Sequence, residues 1–170
     1  NGGGPFADGF RNVNWDGAAL PETGLPGNFF NSGNALRGLL MTNPTPGGGF
    51  LISSATLGGD FGNINAAYPA IFQPFSGARI FAAAGGTVID NTFFVPSSPT
   101  TAASVLGFGV VFTDVDILGS TTLEFFDLNG VSLGVFNAPV MDNGLSFIGV
   151  SFDAGELVGS VSITSGNAAL

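Results

Sequence analysis

The fold is decided by residues 121–137, which read TTLEFFDLNGVSLGVFN. Asn129-Gly130 separates two runs that are rich in β-branched and aromatic residues, and this dipeptide supplies the positive φ angles of a type I′ turn. The stretch therefore predicts a β-hairpin, with residues 121–128 as one strand and residues 131–137 as the other.

Pairing Leu128 with Val131 fixes which side chains of this hairpin share a face. The first face carries Leu128, Phe126, Glu124, Val131, Leu133 and Val135, and the second carries Asp127, Phe125, Leu123, Ser132, Gly134 and Phe136. Both faces are substantially apolar, whereas a strand of a β-sandwich normally has one wet face. Taking the Glu124 face as the core face, we expect the N-terminal residues or another subunit to cover the second. Leu123, Phe125 and Phe136 are the residues predicted to self-associate.

Similar short runs recur along the rest of the chain between turn signals, and no stretch has helical periodicity. In the last run, Val161 and Ile163 alternate with small polar residues, as in a strand that is buried on one side. Together with the hairpin, the runs predict an all-β fold, an antiparallel β-sandwich of the jelly-roll type. The runs outside the hairpin are residues 50–56, 78–84, 87–95, 105–114, 145–152 and 158–164.

The length of 170 residues predicts a single domain. Residues 1–49 hold 12 of the 28 glycines and half of the ten prolines. They predict a loop-rich segment that wraps its own sheet or exchanges with a neighbour, and residues 50–170 form the sandwich core. Only Ser165–Leu170 follow the last predicted strand, so we expect a missing final strand and an open position in the sheet.

The composition excludes most catalytic chemistry, because the chain has no lysine, histidine or cysteine. No Ser-His-Asp triad, cysteine nucleophile or Schiff-base lysine can form. The net charge of -9 argues against nucleic-acid binding, and no apolar run approaches the roughly 20 residues of a membrane span. Carboxylates are the only acid-base groups left, so a two-carboxylate glycosidase is the one remaining enzyme class. Glu124 is its candidate acid, but no partner carboxylate is evident, and we predict that the protein is not an enzyme.

Calcium is the one metal that the sequence suggests, because calcium binds oxygen ligands that converge from a loop. Asp114 and Asp116 follow one another after a strand with a single residue between them, and alternate strand residues project to the same side. They are the best candidate ligands. Asp, Asn and Gly also form ordinary turns, so the alternative explanation of these aspartates is turn chemistry alone.

A glycan-binding module is the alternative function, since jelly rolls often bind sugars by stacking them on aromatic rings. Trp15 and Tyr68 are the chain's only tryptophan and tyrosine, and such rings with a polar tip suit a wet surface. With Asp16, they are the candidate glycan contacts. The 18 phenylalanines are more simply explained by a core and an interface.

Several motifs together resemble a family of bacterial secreted proteins, some of which carry a C-terminal surface-sorting signal. The resemblance implies export and a β-sandwich, and it carries no activity over to this chain. The motifs are Asn14-Trp15-Asp16-Gly17, Phe61-Gly62-Asn63-Ile64-Asn65, Ile71-Phe72-Gln73-Pro74-Phe75-Ser76, Phe93-Phe94-Val95-Pro96, Gly107-Phe108-Gly109, Phe112-Thr113-Asp114-Val115-Asp116, Gly144-Leu145-Ser146-Phe147 and Ile163-Thr164-Ser165-Gly166-Asn167.

The sequence as a whole predicts a non-enzymatic structural or surface-assembly protein located outside the cell or on its surface. Its expected partner is a further copy of itself, in a homo-oligomer or polymer such as a filament or matrix. Glycans are the second expected partner class, with calcium as a possible cofactor.

Overall fold

The computed structural model describes residues 9–16, 26–32, 36–53, 59–77, 79–96 and 98–170. Among these residues there are ten β-strands, two short 3-10 turns and no α-helix. Every strand pairing is antiparallel, which confirms the predicted all-β class. The strands are β1 Leu39–Thr42, β2 Phe50–Ile52, β3 Phe81–Ala83, β4 Val88–Val95, β5 Ser98–Ala102, β6 Gly107–Val115, β7 Thr122–Asp127, β8 Ser132–Asn137, β9 Met141–Ser151 and β10 Val158–Thr164.

The largest sheet has the strand order β1-β4-β10-β7-β8, and β5 pairs with β4 beside this path. Two further pairs, β2-β3 and β6-β9, complete the sheets of the described residues. The last strand, β10, lies in the middle of the large sheet between β4 and β7. The open position that we expected in the sheet is therefore not beside the last strand.

One face of the large sheet is buried and the other is not. Along β10, buried residues alternate with half-buried ones, as the sequence predicted. Val161 and Ile163 are buried, and Ser160, Ser162 and Thr164 are half-buried on the opposite face. The strand registers place Met41, Asn91, Val161, Phe125 and Gly134 in one row across the sheet. This row lies on the core face, and one hydrophobic cluster joins the core face to residues of β2, β3, β6 and β9.

The predicted hairpin is present as β7 and β8, and its register is confirmed from Thr122 to Phe125, where Leu123 pairs with Phe136 and Glu124 with Val135. A β-bulge then shifts the register, so that Phe126 pairs with Ser132. The choice of core face was wrong. Leu123 and Phe125 are the residues that point into the core, and Glu124 lies on the outer face.

The turn of the hairpin also differs from the prediction, since Gly130 has a positive φ of 77° and Asn129 does not have one. A type I′ turn needs positive φ at both residues. Here the N–H of Gly130 bonds to the carbonyl of Asp127, and the N–H of Asp127 bonds to the carbonyl of Val131. This pattern is typical of a type I turn followed by a left-handed glycine and a bulge, which accounts for the shifted register.

Asp127 holds this turn by its carboxylate, which accepts the N–H of Val131 and of Asn129 at 2.8 Å. The hydrogen bond from Val131 is the main reason that the pKa of Asp127 is lowered from its ordinary value of 3.8. A carboxyl group whose pKa is lowered by folding stabilises the protein above its unfolded pKa, and that stability is lost as the pH falls through the folded value.

We therefore expect Asp127→Asn to weaken the pH dependence of stability in the acid range. The variant keeps the side-chain oxygen but cannot carry the charge. Urea midpoints measured from well above to well below pH 3.8 should converge for the two proteins as the pH falls. A constant difference between them at every pH would contradict the assigned role of the charge.

The segment predicted to be loop-rich, residues 1–49, contributes β1 and part of the core. Leu39 and Met41 of β1 are buried against the large sheet, and Phe30 is buried in the same cluster. Leu39 pairs with Phe93 of β4, so β1 extends the large sheet. These described residues of the segment therefore build the sheet instead of only covering it.

Candidate interaction surface

The β6-β9 pair is a two-stranded ribbon formed by the two longest strands. Its register pairs Gly107 with Ser151, Gly109 with Gly149 and Val111 with Phe147. The hairpin β7-β8 lies between the two strands in the sequence, so this pairing is not local. A β-bulge at Asp114 ends the regular part of the ribbon.

The inner face of the ribbon is apolar and belongs to the core. Phe112 and Ile148 are buried there, and Phe108 packs against Phe93 of the large sheet, with ring centroids 5.9 Å apart. The outer face is uncharged. It carries Gly107, Gly109, Val111, Thr113, Leu145, Phe147, Gly149 and Ser151.

Phe147 is the dominant side chain of the outer face, and it is 63% exposed. A Cβ atom built on Gly149 would lie 2.8 Å from its ring, and one built on Gly109 would lie 3.2 Å from it. The ring therefore rests on two glycines, one on each strand. Because it leans from β9 toward β6, it leaves the far edge of β9 uncovered.

That far edge of β9 has backbone groups that β6 does not use. The N–H of Phe152 bonds to the carbonyl of Leu106, and hydrogen-bonding direction alternates along an antiparallel strand. The backbone N–H and C=O groups of residues 146, 148 and 150 therefore point toward β6. Those of Leu145, Phe147, Gly149 and Ser151 point away from β6. No other strand of the described residues pairs with this edge.

The edge of β6 that faces away from β9 is occupied at one end by β10. Val105, just before β6, exchanges two hydrogen bonds with Val158 of β10. At the other end, Gln73 contacts both strands, because its N–H bonds to the hydroxyl of Thr113 at 2.7 Å and its side-chain amide donates to the carbonyl of Asn143 in β9 at 2.8 Å. The edge of β9 is therefore the more accessible of the two.

The edge of β9 also lacks the residues that natural proteins use to protect an exposed edge. Such edges usually carry lysine, proline or inward-pointing charge. Residues 143–152 read NGLSFIGVSF, which contains no charged residue and no proline. An uncharged edge of this length favours pairing with another strand.

The hairpin face predicted for self-association is not this surface. Leu123 and Phe125 are 0% exposed, so the folded domain already buries them. Phe136 is half-buried, and its ring packs edge-on against Phe125 and Phe152. That prediction is corrected by the structure, because it placed the core on the wrong face of the hairpin.

The candidate glycan contacts occupy different environments. Trp15 is half-buried and stacks on Phe81, with ring centroids 3.8 Å apart and ring planes parallel within 1°. Phe30 meets the same indole edge-on at 4.7 Å. Tyr68 packs instead against Phe72 at 4.8 Å. One face of the indole is therefore already used within the domain.

Asp16 is tied to the turn at residues 76–77. Its Oδ2 accepts the hydroxyl of Ser76 at 2.9 Å. Its Oδ1 is buried and has no hydrogen-bond partner within the described part of the chain. The side chain therefore holds a loop, and one of its oxygens has spare acceptor capacity.

The candidate calcium ligands stand at the bulged end of the ribbon. Asp114 has a left-handed backbone, with φ of 58°, and its Oδ1 accepts the N–H of Asn143 at 3.0 Å. The left-handed residue interrupts the strand alternation that placed Asp116 on the same side, and Asp116 is exposed beyond the strand end. Among the described residues, no three His, Cys, Asp or Glu side chains lie close enough to hold a metal.

Glu124 lies on the outer face of the large sheet in one row with Ser162 and Asp90. Its Oε1 accepts the hydroxyl of Ser132 at 2.9 Å, and Asp90 accepts the hydroxyl of Ser162 at 2.7 Å. Two strand spacings, or about 10 Å, separate the backbones of the two carboxylates. Each carboxylate is thus engaged with a serine of a neighbouring strand.

Compared with protein-family models, with curated proteins and with solved structures, the chain matches none of them. The family resemblance drawn from the motifs stays a prediction. A separate observation concerns membranes: none of the helical segments in the described ranges has the length and apolarity to cross a bilayer.

Sequence reasoning did not identify the β9 edge as a surface. It did find the strand itself, as residues 145–152, and it found β6 as residues 105–114. The signal that was available is the absence of charge from residues 143–152. That signal can be interpreted only with the strand order, which shows that β9 is paired on one side only among the described residues.

Proposed function

We propose that this chain is a non-enzymatic structural protein that assembles outside the cell by pairing through an open strand edge. We further propose that its fold is a β-sandwich of the jelly-roll type. The observation that carries the function is the edge of β9, which is long, uncharged and paired on one side only among the described residues.

Several features of the sequence support a structural role. The absence of lysine, histidine and cysteine removes the usual nucleophiles and general bases. The sparse charge, with Arg and Lys numbering three together, favours close packing between identical subunits because few charges need to be desolvated. A location outside the cell agrees with this composition and with the motif resemblance.

The single hydrophobic cluster supports the jelly-roll proposal. It contains Val161 and Phe125 from the large sheet together with Phe112 and Ile148 from the ribbon. Antiparallel sheets that share one core between their inner faces are the basis of sandwich architectures. The ribbon would then be the narrower of two layers, which explains why its edge stays open.

The glycan-binding alternative has less support. Sugar stacking requires a free aromatic face, and Trp15 already uses one of its two faces against Phe81. Tyr68 is half-buried beside Phe72. The largest exposed aromatic rings of the described residues that remain are phenylalanines, which lack a polar tip.

The proposal is tested by measuring molar mass with light scattering over a range of protein concentrations. We expect species heavier than the 17.1 kDa chain, increasing with concentration. Added sodium chloride should favour assembly, because each chain carries a net charge of -9 and salt screens the repulsion between copies. A mass of one chain at every concentration and salt level would contradict the proposed function.

A further inference from the structure

We propose that a second copy of this chain pairs with the first through β9, antiparallel about a two-fold axis at Ile148. This inference rests on the proposed function, and it names the partner and the register. The result is a continuous sheet in the order β6-β9-β9-β6. Such an interface is isologous, the commonest arrangement in soluble oligomers.

The register follows from the backbone groups of β9 that no strand of the described residues pairs with. Leu145, Phe147, Gly149 and Ser151 point away from β6, so these residues must face one another across the new pair. A two-fold axis at Ile148 places Phe147 opposite Gly149 of the second copy, and Leu145 opposite Ser151 of the second copy. All four residues of each strand then take part, giving about eight backbone hydrogen bonds at two for each facing pair.

The side chains of β9 are complementary to themselves in this register. Each large residue of the outer face is opposite a small one, since Phe147 meets glycine and Leu145 meets serine. The Phe147 ring already leans toward Gly109 of its own β6, so it does not obstruct the approaching strand. An axis at Phe147 would instead place the two phenylalanines opposite each other. Ser151 would then have none of these four residues opposite it.

The charge of the chain favours a second copy over a basic partner at the edge of β9. Each copy carries a net charge of -9, so two copies repel each other except where they present neutral surface. Residues 143–152 form such a neutral strip, and Asp142 and Asp153 lie just outside it. A basic partner would need carboxylates within the strip, and the strip has none.

The inner face agrees with the same axis. The two copies of Ile148 meet at the axis as a pair without mutual hydrogen bonds, with Cα atoms about 4.5 Å apart. Ile148 belongs to the core cluster, so the cores of the two copies would continue into one another beneath the joined ribbons. That continuity adds apolar contact to the backbone hydrogen bonds.

A single introduced cysteine tests the register, because the natural chain has none. In Ile148→Cys the two sulfur-bearing residues face each other at a distance that suits a disulfide. We expect mild oxidation to give a covalent dimer. Val150→Cys, on the same inner face, is the matched control. Its two copies would be roughly 13 Å apart along the strands, and we expect no covalent dimer.

A charge placed on the outer face provides a test that leaves the core intact. Phe147→Glu introduces a carboxylate on an exposed side chain, and we expect it to abolish the dimer in light scattering. Val131→Glu is the control, since Val131 is 61% exposed but lies beside the hairpin turn. It should associate as the parent chain does, and circular dichroism should show both variants folded.

The results separate this inference from the proposed function. Association of the parent chain with no cross-link in Ile148→Cys and no effect of Phe147→Glu would overturn the β9 interface, while assembly through a different strand edge would stand. A parent chain that is monomeric throughout would overturn both. If Ile148→Cys does not fold, the Phe147→Glu and Val131→Glu pair decides the matter alone.

Discussion

Replacing Phe125 with alanine should lower the free energy of unfolding by about 3–5 kcal/mol, the usual loss for a fully buried phenylalanine. Phe125 is 0% exposed, and its ring packs edge-on against Phe136 at 5.6 Å and Phe152 at 5.4 Å. Truncation removes both ring contacts and leaves a cavity between β7 and the end of β9. Urea unfolding of the purified variant gives the loss directly.

Val135→Ala is the matched control for this experiment. Val135 pairs with Glu124 in the same hairpin, but it lies on the outer face and is 56% exposed. Its loss should stay within about 0.5 kcal/mol. A comparable loss for both variants, or a Phe125→Ala effect that depends on protein concentration, would contradict the assignment of Phe125 to the domain's own core.

The hairpin was the most predictable part of the fold because its signals are local. Asn129-Gly130 and the flanking alternation fix the pairing of Glu124 with Val135, and the structure has that pairing. The choice of buried face could not be made locally, since both faces are apolar. Burial is decided by β10, which places Val161 beside Phe125 and Ile163 beside Leu123.

Two strands were missed for identifiable reasons. β1 is four residues long and lies in a region rich in glycine and proline, where composition predicts loops. β5 contains Pro99 and small polar residues, and it pairs with β4 at the margin of the large sheet. Proline is tolerated at such an edge, where one side of the strand needs no hydrogen bonds. Both strands are formed by tertiary pairing more than by their own propensity.

The candidate surface was only half predictable. Its strands and its lack of charge are visible in the sequence, but the pairing of β6 with β9 spans the whole β7-β8 hairpin. Non-local pairing has no sequence signal comparable to Asn-Gly. The residues predicted to self-associate were wrong for a free surface, because Leu123 and Phe125 fill the core, whereas Phe147 is exposed.

Gly38→Ala should lower the free energy of unfolding by about 2–5 kcal/mol. Gly38 has a φ of 71°, which an L-residue adopts only at a cost. A Cβ atom at this position would also collide with the carbonyl oxygen of Phe94. The same two residues are joined by a hydrogen bond, in which the carbonyl of Gly38 accepts the N–H of Phe94 at 2.8 Å. Alanine would therefore push β1 away from β4.

Gly130→Ala separates the cost of the left-handed backbone from the cost of the collision. Gly130 has a similar φ of 77°, but a Cβ atom there would meet nothing within 4 Å. Its loss should therefore be the conformational cost alone, about 1–2 kcal/mol. The difference between the two variants in urea unfolding measures how firmly β1 is held. Equal losses would contradict a firmly held β1, because they would mean that β1 moves aside without resistance.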